Sequence, residues 1–428
     1  MNEKKTVNEW MGRYRAGLER LYGTREQEIK IQYERYSDLL SEFRKYFRTD
    51  QARFFSAPGR TEIGGNHTDH NHGHVLAGAV NLDNVAVCSV NDSNMANIIS
   101  TGYPVISIDL SELQPVKQEQ FTSAALIRGI AARMKALGYK TGGFNAVIDG
   151  RVPKGSGLSS SASYEVLIGT IFNHLFNDGK IAALEIAMIG QYSENHYFGK
   201  PCGLMDQTAC STGGLITIDF NDPACPLVKK VHFDFMSTGY SLVITDTGGN
   251  HADLNHEYAS LPIEMKMVAQ NLGASVLRQV SLEELLESMP GLRSKTGDRA
   301  LLRAFHFLGD SQRVLRQVGA LENKDFSTFL SLVVESGYSS FMYNQNIYPV
   351  NNVKEQGLSL GLALSEMVLK GRGAWRVHGG GFAGTIQAFV PDDLLQKYVS
   401  TLEHVFGANT SHQMFIREMG AVEVEPVY

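Results

Sequence analysis

Between Phe144 and Phe176 the chain passes from one structural period to another through a single glycine- and serine-rich segment, PKGSGLSSSAS (Pro153 to Ser163). Phe144, Ala146 and Ile148 alternate with Asn145, Val147 and Asp149, the period-two pattern of a strand, which Gly150 and Pro153 then stop. Beyond the segment, Leu167, Ile171 and Leu175 recur at every fourth position, as do Ile168, Phe172 and Phe176, so a buried helix with two apolar faces is expected. Gly155 and Gly157 permit positive φ, and Ser159, Ser160, Ser161 and Ser163 place hydroxyls where that helix begins. Exposed N–H groups, the positive end of a helix dipole and several hydroxyls together make a cradle for an anion. A serine-capped loop without a ligand is the other reading. The Walker pattern is excluded, because no Gly-Lys-Ser/Thr follows.

Two further glycine-rich segments carry polar groups. GRTEIGGNHTDHNHG (Gly59 to Gly73) gathers Arg60, Glu62, Asn66, His67 and Asp69 between apolar flanks, Phe54, Phe55 and Ala57 before and Val75, Leu76 and Val80 after. A loop of this kind faces either water or a ligand. RVHGGGFAGT (Arg376 to Thr385) sets His378 beside Gly379, Gly380 and Gly381, and a half-exposed loop histidine is expected there.

The three segments, in this order, resemble the three motifs of the GHMP small-molecule kinases, and GRTEIGGNHTDHNHG resembles the signature of galactokinases among them. KPCGLMDQ (Lys200 to Gln207) and NHADLNHEY (Asn250 to Tyr258) extend the similarity, which runs from about Ala52 to the C-terminus. The resemblance implies an α+β, two-domain fold with the active site in the cleft between domains. It also implies transfer of the γ-phosphate of ATP to the C1 hydroxyl of galactose. Asp206 matches the catalytic aspartate and Arg60 the arginine beside it. Gly155, Ser156, Gly157, Leu158, Ser159, Ser160 and Ser161 match the ATP loop, and Ser161 with Glu194 matches the residues that hold Mg²⁺. Asn66, His67, Asp69, Gly203 and Tyr258 match sugar contacts, although Tyr258 reads equally as a core tyrosine with a bonded hydroxyl. Glu194 has its own helical context, since Gly190, Ala187 and Ala183 lie below it as a small-residue face.

The chain departs from the common signature, Gly-Glu-His-Thr-Asp-Tyr, which here reads Gly65-Asn66-His67-Thr68-Asp69-His70. An amide replaces a carboxylate, which keeps another hexose or a galactose derivative open as substrate. FTSAALIRG (Phe121 to Gly129) offers Leu126 but no tryptophan near the expected adenine site. A non-catalytic sugar- and ATP-sensing regulator is the alternative of a different class, and the complete loop with Arg60, Glu194 and Asp206 argues against it.

A chain of 428 residues exceeds what one core normally serves. Three parts are expected: a helical extension over 1–50, an N-terminal kinase domain over 51–228 and a C-terminal one over 229–428. Within the first part Trp10, Tyr14, Leu18 and Leu21 share a helical face, and Ile29, Tyr33, Tyr36, Leu40, Phe43 and Phe47 another. Two helices packed on the N-terminal domain are expected in preference to a dimerisation hairpin. The net charge is −6, from 39 basic and 45 acidic residues, which leaves no basic surplus for nucleic acid. Four cysteines without CxxC spacing point to buried free thiols in a reducing compartment. No run approaches the ~18 apolar residues of a membrane span, and MNEKKTVNEW has no apolar leader core. The expectation is a cytoplasmic protein, a monomer or weak homodimer, whose partners are a small sugar and ATP.

Overall fold

A computed structural model describes residues 12–153, 155–249 and 254–426. Two helices, α1 (Arg15–Tyr22) and α2 (Glu26–Phe47), precede a long antiparallel pair, β1 (Arg53–Gly64) and β2 (His74–Val90). Next come β3 (Met95–Ser100), β4 (Ile106–Asp109), α3 (Ser123–Ala136), β5 (Phe144–Gly150), α4 (Ser160–Phe176), α5 (Ala183–Ser193), α6 (Met205–Thr212), β6 (Leu215–Asp219) and β7 (Leu227–Val231). The second half contains β8 (Tyr240–Asp246), α7 (Asn255–Asn271), α8 (Leu282–Thr296), α9 (Asp298–Glu322), α10 (Phe326–Ser339) and α11 (Gly357–Leu369). It closes with β9 (Ala374–Val377), β10 (Thr385–Pro391), α12 (Leu395–Phe406), β11 (Ser411–Met414) and β12 (Val422–Val424).

β2 is long enough to serve two partners. Its C-terminal half, Asn84 to Val90, pairs with β5, and its N-terminal half, His74 to Gly78, pairs with β6. The first sheet therefore runs β12-β1-β2-β5-β3-β4, with β6 and β7 branching from β2. The second, of four strands, runs β11-β8-β10-β9. The expected division at 228/229 falls inside β7, and β12 returns from the end of the chain to pair with β1, so the first sheet draws on both sides of that division.

Helices α3 to α5 cover one face of the first sheet, where Ile130, Ile148, Val166, Ile168 and Phe172 share a core. The buried two-faced helix expected after the serine loop is α4. The other face is covered by α1 and α2, whose Leu18, Tyr36, Leu40 and Phe43 pack on Phe54, Val85 and Val147. The amphipathic spacing in the first fifty residues thus meets the N-terminal sheet; Trp10 lies outside the described residues. Of the four free cysteines, Cys88 and Cys210 are buried and Cys202 partly so, but Cys225 is exposed, which corrects the expectation of uniformly buried thiols. It sits in the polar turn before β7, where no core is available. Among the described residues no helix is long and apolar enough to cross a membrane.

Asp83, fully buried, ties the helical extension, the sheet and the C-terminal segment together. It accepts from Arg35 Nη1 at 2.7 Å, Arg417 Nη1 at 3.0 Å, Tyr22 Oη at 2.5 Å and the Ser56 hydroxyl. Burial pushes its carboxyl up, but Arg35 and Arg417 outweigh that and hold it below the usual carboxylate range. Its stabilisation is therefore complete above the unfolded value, about 3.9, and lost as pH falls through the lower folded value. Asp83→Ala would leave the buried Arg417 guanidinium without its acidic partner and Arg35 with Asp149 alone, and should cost about 3–5 kcal/mol at neutral pH, read by chemical denaturation.

Candidate active site

β1 is irregular where it matters: its register to β2 shifts between Pro58 and Arg60, and again between Glu62 and Gly64. Bulges of this kind re-aim side chains at sheet margins. Arg60 reaches out of the strand and spans Asp206, with Nε 2.7 Å from Oδ1 and Nη2 2.7 Å from Oδ2. Its third nitrogen donates to the Gly157 carbonyl, and its backbone N–H donates to the Leu158 carbonyl at 3.0 Å. Ser159, at φ 59° and ψ 63°, donates its hydroxyl to Asp206 Oδ2 at 2.6 Å. Asp206 lies in the first turn of α6, where the helix dipole favours an anion. The Arg60 side chain is 7% exposed and that of Asp206 30%, so the acid is the member of the pair that opens outward. Burial pushes the Asp206 carboxyl up; Arg60 and the Ser159 hydroxyl overcome this and hold it below its ordinary value.

The loop that supplies Gly157 and Ser159 is pinned from behind. Ser156 Oγ donates to the Pro153 carbonyl at 2.7 Å, and the Leu158 side chain is fully buried against Val152, so Leu158 contributes backbone to the loop face. Gly157 has φ 68°, and a Cβ there would lie 2.9 Å from both His378 Nδ1 and Thr385 Oγ1. His378 is 1% exposed, which corrects the half-exposed loop histidine expected from sequence. Its Nδ1 lies 2.9 Å from Thr385 Oγ1 and its Nε2 3.1 Å from Thr61 Oγ1. Burial, then Arg60 and Arg376, push it well below the usual histidine range, so it is a neutral wedge between strand β1 and the glycine loop.

Glu194 begins a five-residue π-helical turn, Glu194–Phe198, that continues α5. Such turns recur at functional sites. The carboxylate is 3% exposed, with Oε1 3.3 Å from Ser161 Oγ and 3.7 Å from Lys200 Nζ. A buried carboxylate with a serine hydroxyl beside it, both hard oxygen donors and neither in a short hydrogen bond on that side, suits Mg²⁺.

The five residues matched to sugar contacts divide into two groups. Asp69 and Gly203 line a cavity of about 200 Å³ together with His70, His72 and Gln191. Asn66, His67 and Tyr258 instead hold the glycine loop: Asn66 Nδ2 donates to the Gly379 carbonyl at 2.8 Å, His67 Nε2 lies 2.9 Å from the Gly380 carbonyl, and Tyr258 Oη donates to the Gly381 carbonyl at 2.9 Å. Asn66 is fully buried, and the rest of its amide is engaged as well, by Glu62 Oε1 at 3.0 Å, Ser340 Oγ at 3.2 Å and Asn346 Nδ2 at 2.8 Å. An amide fits here for a local reason. Glu62 is already the acid of this network, paired with the fully buried Arg376 at 2.7 Å, and a carboxylate at position 66 would face it. The loop is braced from α9, where Asp310 accepts from the Asn66 N–H at 2.9 Å and His306 Nε2 lies 2.8 Å from the Asn66 carbonyl. Burial lowers His67 to about 4, so it is neutral near pH 7.

Sequence reasoning counted Glu62 among the polar groups of its loop without giving it a partner, and passed over Arg376, Asn346 and Asp310, and also Glu165 and Gln207. For Glu165 a signal exists: it stands one helical turn after Ser161 and directly before the apolar run Val166 to Ile168. It passed over an aromatic pair as well. Phe121 is 68% exposed at φ 63°, held by its N–H to the Phe198 carbonyl at 3.0 Å, and the two rings meet edge to face at 5.6 Å. Leu126, the apolar residue offered for an adenine site, is buried.

Residues 125–214 match the family model described as GHMP kinases N terminal domain, and residues 41–90 match the galactokinase galactose-binding signature. The crystal structure of Lactococcus lactis galactokinase complexed with galactose superposes with a TM-score of 0.77 at 24% identity, covering 90% of this chain and 99% of that one. Methanococcus jannaschii mevalonate kinase gives 0.61 at 13% identity, covering 86% and 99%. The fold is that of a GHMP kinase. A curated galactokinase from Clostridium tetani (strain Massachusetts / E88) is 32% identical over 376 residues, 85% of this chain and 91% of the relative. The chain belongs to the galactokinase family.

Because the space beside Gly157 is filled by His378 and Thr385 and its φ is positive, Gly157→Ala should cost about 1–3 kcal/mol in a thermal melt and raise KM for ATP more than KM for the sugar.

Proposed function

We propose that this protein phosphorylates the C1 hydroxyl of galactose from MgATP, giving galactose 1-phosphate and ADP, in the cytoplasm. The observation that carries the reading is the Arg60–Asp206–Ser159 constellation, set at a helix start beside the glycine- and serine-rich loop. Asp206 accepts a hydrogen bond from the attacking hydroxyl and orients it. Arg60 keeps Asp206 ionised and, held against the Gly157 carbonyl, fixes the loop at a constant distance from the acid. Phosphoryl transfer has a loose transition state in which positioning and electrostatics dominate, so a carboxylate with a depressed pKa is base enough. The loop from Gly155 to Ser161 cradles the phosphates through its N–H groups and hydroxyls. Ser161 and Glu194 would hold Mg²⁺, which supplies charge neutralisation to the phosphates. Asp69 and the backbone at Gly203 recognise sugar hydroxyls in the cavity they share, while Asn66, His67 and Tyr258 shape that site by holding the glycine loop.

The base of the nucleotide packs on Phe121. A bulky residue in the left-handed region is strained, and an aromatic ring left mostly in water is not there for the core. Its partner Phe198 ends the same π-helical turn that Glu194 begins.

A coupled ADP-release assay across galactose, N-acetylgalactosamine, galacturonate, glucose and arabinose tests the substrate. Galactose preference is expected, and Asp206→Asn should lower kcat by about 100- to 10,000-fold with little change in KM for galactose. Better use of another sugar would move the substrate and keep the mechanism; near-normal kcat in Asp206→Asn would remove that residue from it. Phe121→Gly should raise KM for ATP about 5-fold or more, by loss of stacking, while the melting temperature holds or rises because glycine accepts the positive φ.

A further inference from the structure

Glu165 is fully buried in α4, one turn after Ser161, and is not among the residues that line the sugar cavity. Its carboxylate Oε2 accepts from Gln207 Nε2 at 2.9 Å, and the same amide nitrogen donates to Glu194 Oε2 at 3.0 Å. One amide group, with two hydrogens, thus serves two buried acids. Gln207 Oε1 is buried and without a hydrogen-bond partner, so only the nitrogen side of the amide is anchored, where Nε2 also lies 3.6 Å from Cys202 Sγ. Were the amide turned over, its oxygen would face the Glu194 carboxylate. Helix α5 packs closely on this pair: a Cβ on Gly190 would lie 3.2 Å from Glu165 Cβ and 3.4 Å from Gln207 Cγ.

We propose that Glu165 is a positioning residue that, through Gln207, sets the carboxylate of Glu194 for the metal–nucleotide complex and fixes the helix turn that presents Asp206. Two anchors on one nitrogen fix the amide's orientation where one would leave it free to turn. With Glu194 Oε2 engaged by that amide, Oε1 is the oxygen directed toward Ser161 and Lys200. Gln207 follows Asp206 directly in α6, so the anchor that holds one also sets the azimuth of the other. This rests on reading Glu194 as the metal carboxylate. Residues that orient a ligating carboxylate typically change metal affinity by about 10- to 100-fold when removed.

The test is Mn²⁺ binding to the full-length protein with ADP, followed by the free-Mn²⁺ electron paramagnetic resonance signal, beside KM for the sugar. Glu165→Leu should weaken Mn²⁺ binding about 10-fold or more and lower kcat, with KM for the sugar within about 2-fold. Glu165→Gln, which keeps an oxygen for the Gln207 amide, should restore most of the Mn²⁺ affinity. Should Glu165→Leu fail to fold, Gln207→Met removes the shared donor and carries the same expectation. Unchanged Mn²⁺ affinity in Glu165→Leu, or in Gln207→Met, while Glu194→Gln loses it overturns the role of Glu165 alone. Unchanged affinity in Glu194→Gln overturns both this role and the metal reading beneath it. Equal rises in KM for the sugar and in the Mn²⁺ dissociation constant would mark Glu165 as merely structural, and no rescue by Glu165→Gln would reject the orienting hydrogen bond.

Discussion

Everything at the site hangs on one buried guanidinium. Arg60 holds both oxygens of Asp206, the Gly157 carbonyl and, through its own N–H, the Leu158 carbonyl. Without that side chain, strand β1, the glycine- and serine-rich loop and helix α6 would keep single hydrogen bonds, from the Arg60 N–H to the Leu158 carbonyl and from the Ser159 hydroxyl to Asp206, beside apolar contacts that set direction hardly at all. A planar, bidentate pair sets both. The charge is costly to bury, and only a carboxylate in good geometry offsets that cost. The same pair therefore positions the groups and keeps the acid ionised.

Charge is used in the same way elsewhere. Arg376 and Glu62 join β9 to β1, and Asp83 gathers Arg35 from the helical extension and Arg417 from the C-terminal segment onto the first sheet. Each cluster links segments that lie far apart in the chain, so each makes the stability of one region depend on another. The exchange of acid and amide within the signature belongs here as well: with Glu62 committed to Arg376, position 66 is served by a neutral group that donates to Glu62 and accepts from Ser340 and Asn346.

Much of the fold was legible along the chain. The period-two run from Phe144, the two apolar faces after Ser163 and the heptad-like spacing from Ile29 to Phe47 each became the expected element, because periodicity reports directly on which side of an element is buried. Arg60, Asp206, Ser159 and Ser161 were legible through motif order. His378 and Asn66 were not. His378 reads as a half-exposed loop histidine and Asn66 as a group facing a ligand, and both are buried because residues hundreds of positions away close over them: Thr61 over His378, and Asn346 and Asp310 over the loop of Asn66. Glu165 was legible only as an acid one turn after Ser161, since its position gives no hint of the amide that it meets.

The sequence by itself determined the N-terminal helices, the strand from Phe144, the helix after the glycine- and serine-rich loop and the family to which the chain belongs, since these depend on local conformational preference and on short motifs. Only the tertiary structure decided which partner each polar group has, and hence which residues open into the cleft and which brace it. A buried donor or acceptor must be satisfied by whatever folding brings beside it. That neighbour is a property of three-dimensional closure, which no stretch of residues carries within itself.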